Sequence, residues 1–472
     1  MSIPLLINND SVTTDTLFPV QNPATGEIIY HCTGATVAEA NRAVDAAQAA
    51  FPAWRDMKAY PRRDLLMRAA ELLLARKEEL LAYQCEETGA TRQFADINFT
   101  MGFNLLKDFA ARVPTIEGTV PAVTHQSRGA MIYKEPYGVI LGIVPWNAPF
   151  ILAIRAIALP LAAGNTVVLK GSELSPKCFW ALGDIFRQAG LPAGCLNILY
   201  HRPADAAEVT NTLIAHPAVR KVNFTGSTHV GSLVASTAGK YLKPILVELG
   251  GKASAIVLDD ANLDNAAACC VLGSFMNSGQ ICMSTERILV HRAIAEEFRQ
   301  RLVDTAEKMF GKDIPAPVLV QTAAVARNHK LAADAVAKGG SVLFGDADAN
   351  EIGPASMRPL IIDGVTKEMD IYATESFGPT VSLIVVDNDE TAIALANDTE
   401  YGLSAAVFTE NLLRGLKIAR KIESGAVHIN SITVHDEPVL PHGGWKSSGF
   451  GRFGGSSGFD EFLQTKTVTW AE

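Results

Sequence analysis

What the sequence lacks narrows its class first. No C-x-x-C pair occurs among its seven cysteines: Cys32, Cys85, Cys178, Cys195, Cys269, Cys270 and Cys282. The number is odd and the spacing irregular, which suits neither a disulfide frame nor a zinc site. Reduced thiols in a cytoplasmic setting, with no bound metal, are therefore expected. No apolar run is long enough to span a bilayer. The start, MSIPLLINND, has no basic stretch followed by an apolar one, and the end, TVTWAE, carries no lipidation or retention tag. Neither targeting nor membrane attachment is expected. Basic residues are not in excess, and the net charge is −9. Such a chain has no electrostatic reason to seek nucleic acid or an anionic membrane.

What is present is a globular composition. The chain has 472 residues, 48% of them hydrophobic, which is too long for one simple core. Short strands and turns are expected first. Helical periodicity follows over 37–50 and 62–85. Residues 118–140 hold scattered β-branched residues and Pro121, and read as an extended arm. Strands and helices then alternate: strands at 139–144, 166–169, 196–199 and 219–224, and helices at 149–163, 176–189, 204–215 and from Thr228. That rhythm predicts a parallel sheet covered on both faces. The alternation resumes after Gly251 and runs to about Asn430, before a Gly-rich stretch and a final strand-like segment.

Five local patterns carry possible chemistry. Cys282 follows a Gly-containing turn in SGQICMS, where a thiol can face a substrate, although a lone cysteine is commonly buried and inert. Glu248 ends the apolar strand of VELGGK, where α/β proteins place their sites; an ion pair at a strand end is the plainer alternative. Asn147 in PWNAPF either caps the next helix or aims its amide at a developing oxyanion. Lys170 and Glu173 in LKGSELSP suit ribose hydroxyls or a surface ion pair. NFTGSTHVG joins a strand to Gly226, Ser227 and Gly231 at a helix start, a ready phosphate site. A G-x-G-x-x-G occurs once, at Gly449, Gly451 and Gly454, without a strand–helix context, so no dinucleotide role is assigned to it.

Together and in order, PWN, Lys170 with Glu173, FTGST, ELGGK, GQIC, ESFGP and SGFGR resemble the aldehyde dehydrogenase superfamily over essentially the whole chain. IVPWNAP, LKGSELSP and GQICMSTER are most similar to its salicylaldehyde and vanillin dehydrogenase branch. The resemblance implies an α/β fold of two parallel-sheet domains, a Rossmann-like cofactor domain and a catalytic domain, plus a β-strand oligomerisation arm. The cofactor domain takes residues 1–117 and 139–249, the catalytic domain 250–447, and the arm 118–138 and 448–472.

By position, the resemblance makes Cys282 the nucleophile, Glu248 the general base and Asn147 the oxyanion donor. It places Lys170 and Glu173 at the adenosine ribose and Gly226, Ser227 and Gly231 beside the pyrophosphate. Val144, Trp146, Leu249, Glu375 and Phe377 complete the cofactor site. NAD is the implied cofactor, because the Glu173 carboxylate suits free ribose hydroxyls and repels the extra phosphate of NADP. A small-molecule aldehyde, aromatic or otherwise bulky, is the implied substrate, and a homodimer or homotetramer the implied assembly. Rival readings are a CoA-acylating dehydrogenase and a non-catalytic protein of the same fold. Two particulars stand out. Many relatives carry Glu after the Arg of the last motif, where this chain has Phe453, so any proton relay through that Glu is lost. Arg155 lies in the apolar helix after Asn147, where a charge is usually at a surface or paired within the protein; in the resembling branch the position borders the substrate pocket, which makes a polar group on the aldehyde the other candidate partner.

Overall fold

The alternation of strands and helices gathers into two large sheets. The computed structural model describes residues 2–124, 126–347, 351 and 353–471. The first sheet has eight strands. Its parallel centre orders Ile245–Glu248, Val219–Thr225, Val139–Ile143, Thr166–Lys170 and Leu196–Leu199 side by side. These strands are almost wholly buried, as expected of a sheet with helices on both faces. The second sheet has seven strands, running through Ser341–Phe344, Leu360–Asp363, Thr380–Val386, Thr285–His291, Ala253–Val257, Ser404–Phe408 and Ala426–Ile429. It is parallel except at Ser341–Phe344. No helix among the described residues is long and apolar enough to cross a membrane.

Helix Pro149–Ala162 starts on a proline, whose missing N–H costs nothing in a first turn, and is apolar and buried nearly all round. One helical expectation changes, and one helix is new. The periodic segment 62–85 is two helices, Ala59–Ala75 and Lys77–Thr88, separated at Arg76, which leaves helical geometry and donates to Glu79 and Asp184. Helix Arg92–Arg112 was not expected at all. Its apolar face is interrupted by Asn98, which is fully buried and holds two neighbours: its amide donates to Gln84 Oε1 at 2.8 Å, and its Oδ1 accepts from Ile151 N at 3.1 Å. A polar residue on the core face hides the helical period.

The expected arm is a two-stranded ribbon in which Arg128–Pro136 pairs antiparallel with Leu463–Ala471. Of the described residues of 448–472, only that last strand pairs in it. Gly449–Phe450 is instead the edge strand of the eight-stranded sheet, antiparallel to Ile245–Glu248, and Phe453, Phe459 and Phe462 are buried in that sheet's core. The apolar face of 453–462 needs cover, and helix Pro149–Ala162 supplies part of it.

Candidate active site

The order of the first sheet creates the site. From Val139–Ile143 the chain adds Thr166–Lys170 and Leu196–Leu199 on one side, then Val219–Thr225 and Ile245–Glu248 on the other. The crevice beyond the strand ends opens where that direction reverses, between Val139–Ile143 and Val219–Thr225. The chain leaving the first of these supplies Trp146 and Asn147, the chain leaving the second supplies Gly226 and Ser227, and Glu248 ends the neighbouring strand. All five line one cavity of about 840 Å³. Leu249, Arg155, Cys282, Glu375 and Phe377 line it too. Val144, Lys170, Glu173 and Gly231 do not. Val144 is buried and donates its N–H to Lys170 O at 3.2 Å.

Cys282 arrives from the opposite wall on a strained loop. Asn277, Ser278 and Gly279 have φ of 50°, 59° and 70°, a left-handed run that only strong local bonding sustains. Ser278 Oγ donates to Val318 O at 2.9 Å, Gln280 Nε2 to Asn277 O at 3.1 Å, and Val320 N to Gln280 Oε1 at 2.9 Å. Asn147 ties this loop to the first sheet by donating from Nδ2 to Gln280 O at 2.9 Å. A side chain at Gly279 would run into Gly378 O, and one at Gly251 into Cys282 O. These glycines let two backbones touch beside the thiol.

The electrostatics around the thiol are set by burial. Burial first, then the Glu248 and Glu375 carboxylates, push the Cys282 thiol well above the usual thiol range, while Arg155 pulls the other way. Glu248 is 1% exposed and its Oε1 has no hydrogen-bond partner among the described residues. His442 Nε2 lies 3.7 Å from that oxygen. Arg155 is already paired within the protein: its guanidinium meets Asp436 and sits over the Phe453 ring, 5.3 Å from the centroid. Of the two candidate partners, a group of the protein and a group on the substrate, the structure supplies the first in Asp436, and Arg155 still lines the cavity.

The residues expected at the cofactor form a cradle with close backbone approaches. Ser227 caps helix Thr228–Lys240 by accepting from Val230 N at 3.4 Å, which leaves the positive end of that helix facing the crevice. A Cβ at Gly231 would collide with Leu249, and one at Gly250 with Glu375. Trp146 and Phe377 meet edge to face at 6.0 Å. Glu375 Oε1 accepts from Gly251 N at 2.8 Å, and burial raises its carboxyl to about 7 against that bond. Lys170 ends its strand near Glu173; burial lowers its pKa and the Glu173 charge opposes the shift. A helix start, a bare-backbone turn and a nearby ammonium–carboxylate pair fit a dinucleotide.

Several functional supports escaped the sequence. Lys252 and Glu286 form a buried pair at 2.7 Å, and Glu286 also accepts from Ser376 N, Ser376 Oγ and Phe377 N. That network holds Phe377 at a φ of 44°. Glu286 lies inside a buried strand, and an acidic residue breaking an apolar run was the available signal. The late glycine motif proves structural. Gly449 pairs with Glu248, Ser448 O accepts from Leu249 N at 3.0 Å, and Ser448 Oγ donates to Gly250 O at 2.6 Å. It fastens the strand end that carries the carboxylate. His442 and Asp436 were not singled out as site residues, because nothing local links them to Glu248 or Arg155.

The sequence model of the Aldehyde dehydrogenase family matches residues 9–468. A vanillin dehydrogenase from Pseudomonas fluorescens is 44% identical, with 99% of this chain and 98% of that protein aligned. The crystal structure of a salicylaldehyde dehydrogenase from Pseudomonas putida G7, complexed with salicylaldehyde, superposes with a TM-score of 0.96 at 38% identity, covering 100% of this chain and 98% of the other. A betaine aldehyde dehydrogenase from Staphylococcus aureus, in complex with NAD+, superposes with a TM-score of 0.94 at 28% identity, covering 99% and 94% of the two chains. A thiol, a buried carboxylate and an amide donor around one crevice, on this fold and with these relatives, place the chain in the aldehyde dehydrogenase family, as an oxidoreductase.

Proposed function

We propose that the protein oxidises an aromatic aldehyde to its carboxylic acid with NAD, through a thioester on Cys282. The observation that carries this reading is the company Cys282 keeps: Glu248 and Asn147 share its cavity, whose remaining walls include Phe94, Met101, Ile151, Met276 and Val434. A pocket whose exposed lining is mainly apolar suits a planar ring better than a small hydrated aldehyde. The names of the vanillin and salicylaldehyde relatives agree with that choice. Bound NAD supplies the acceptor for the hydride that the aldehyde carbon gives up. Lys170 and Glu173 hold its ribose, the 226–231 turn its pyrophosphate, and Trp146, Glu375 and Phe377 its nicotinamide end.

The protein's own residues do the rest. The Cys282 S–H bond breaks, its proton passes to the Glu248 carboxylate, and Sγ bonds to the aldehyde carbon, whose carbonyl oxygen becomes an anion. An amide nitrogen has two hydrogens, so Asn147 donates one to this oxygen while the other stays with Gln280 O. The Cys282 N–H is the second donor. After oxidation, Glu248, returned to carboxylate, removes a proton from water, the hydroxide attacks the thioester carbonyl, and collapse expels the Cys282 thiolate with release of the acid. Residues 1–117 and 139–249 act as the cofactor unit and 250–447 as the catalytic unit. The ribbon of 118–138 with the last strand is the arm for a homodimer or homotetramer. Its outer strand is exposed, including Val468 and Trp470, and a lone ribbon gains little stability by itself.

The test is an aldehyde panel with NAD or NADP, with and without CoA. Benzaldehyde-type substrates should show higher kcat/KM than short aliphatic ones, with NAD preferred and free acid the product even when CoA is present. No reduced cofactor with any aldehyde would sink the reading, and acyl-CoA as sole product would replace it with the acylating one.

A further inference from the structure

The base as described needs somewhere to send its proton. Glu248 is almost sealed, its Oε1 is unpartnered, and it must return to carboxylate before each new hydrolysis. Nearby charged groups are engaged elsewhere. Lys252 belongs to Glu286 and Arg155 to Asp436. Phe453, a hydrocarbon ring, occupies the space under Arg155. The one ion-pair partner found for Glu248 among the described residues is His442.

Resting on the role of Glu248 as base, we propose that His442 is its proton relay, a positioning residue that acts through Glu248 and never touches the acyl group. The imidazole is held for this task. His442 N and O exchange two 2.8 Å hydrogen bonds with Phe453, so its backbone is pinned, and its ring opens onto the same cavity. The 3.7 Å between Nε2 and Glu248 Oε1 closes by a small ring rotation or through one water. The steps balance. A water O–H breaks and its proton passes to Glu248 Oε1 as the hydroxyl bonds to the thioester carbon. The new Glu248 O–H then breaks, and its proton passes to Nε2 of the neutral imidazole, restoring the carboxylate. The imidazolium releases a proton to water in the cavity.

Rapid-quench mass spectrometry of the acyl-enzyme, beside the NADH trace, tests this. In His442→Phe, one NADH per active site should form at the wild-type rate, whereas acyl-enzyme decay should slow about tenfold or more. In His442→Ala, added imidazole should restore the decay, and it should do nothing for Glu248→Gln/His442→Ala. Decay within twofold of wild type in His442→Phe, or no recovery with imidazole, would overturn the relay while leaving Glu248 as base. Wild-type decay in Glu248→Gln would instead remove the base itself, and the relay with it.

Discussion

The two walls of the cavity are built by opposite means. On the first sheet's side, Trp146, Asn147, Gly226, Ser227 and Glu248 sit at or just beyond the ends of parallel strands. Their placement needs only a regular fold with a reversal in strand order. On the other side, Cys282 sits on a loop with three successive left-handed residues, held by hydrogen bonds from Ser278, Gln280 and Val320. Strand ends position groups at no conformational cost, while the loop stores strain that its surroundings must balance. The nucleophile therefore has the more exact placement and the more fragile support.

Four experiments bear on that contrast. Cys282→Ala should bind NAD, reduce none of it even in a single turnover, and keep its fold; surviving turnover would mean another nucleophile. Asn147→Ala removes a donor from the regular wall and should cost about 10²–10³-fold in kcat. It also frees Gln280 O, so acyl-enzyme formation is the step to follow; a loss confined to KM would contradict an oxyanion role. The third compares two glycines. Gly279→Ala adds a methyl against a carbonyl at positive φ and should lower stability by about 1–3 kcal/mol, with kcat falling alongside, because the backbone there cannot yield. Gly226→Ala brings its methyl against the buried Phe224 ring, which can turn aside where a backbone carbonyl cannot, and should raise KM for NAD with a smaller unfolding shift than Gly279→Ala. Equal unfolding shifts would erase the distinction between the walls.

The smallest effect concerns acid stability. Burial holds the imidazoles of His201, on the cofactor side, and His428, on the catalytic side, near pKa 4, below the ordinary 6.5. Lowered folded values mean that the unfolded chain binds protons which the folded chain refuses. Stability should therefore fall as pH drops from about 6.5 to about 4. His201→Gln and His428→Gln should each flatten part of that fall in urea midpoints. A slope unchanged by both variants would show that these rings are not its source.

The contrast between the walls also sets what was legible. The strands from Val139–Ile143 to Val219–Thr225 were readable because fully buried parallel strands are short apolar runs punctuated by helix starts. Helix Arg92–Arg112 was not, since its buried Asn98 serves Gln84 and Ile151, partners outside the helix. The break at Arg76 depends on Asp184, remote in sequence. Arg155 was recognisable as a charge in an apolar helix, yet its partner, Asp436, lies 281 residues further on.

By itself the sequence determined the chemistry available: one thiol after a glycine turn, a carboxylate at a strand end, an amide before a helix and a bare turn for phosphate. Those are local patterns, governed by backbone preference and strand-end position. Only the tertiary structure decided which groups meet. It set Glu248 beside His442, filled the space under Arg155 with Phe453, and turned the one G-x-G-x-x-G into an edge strand that clamps the base. Such pairings depend on which distant segments are pressed together once water is excluded, and no local spacing encodes them.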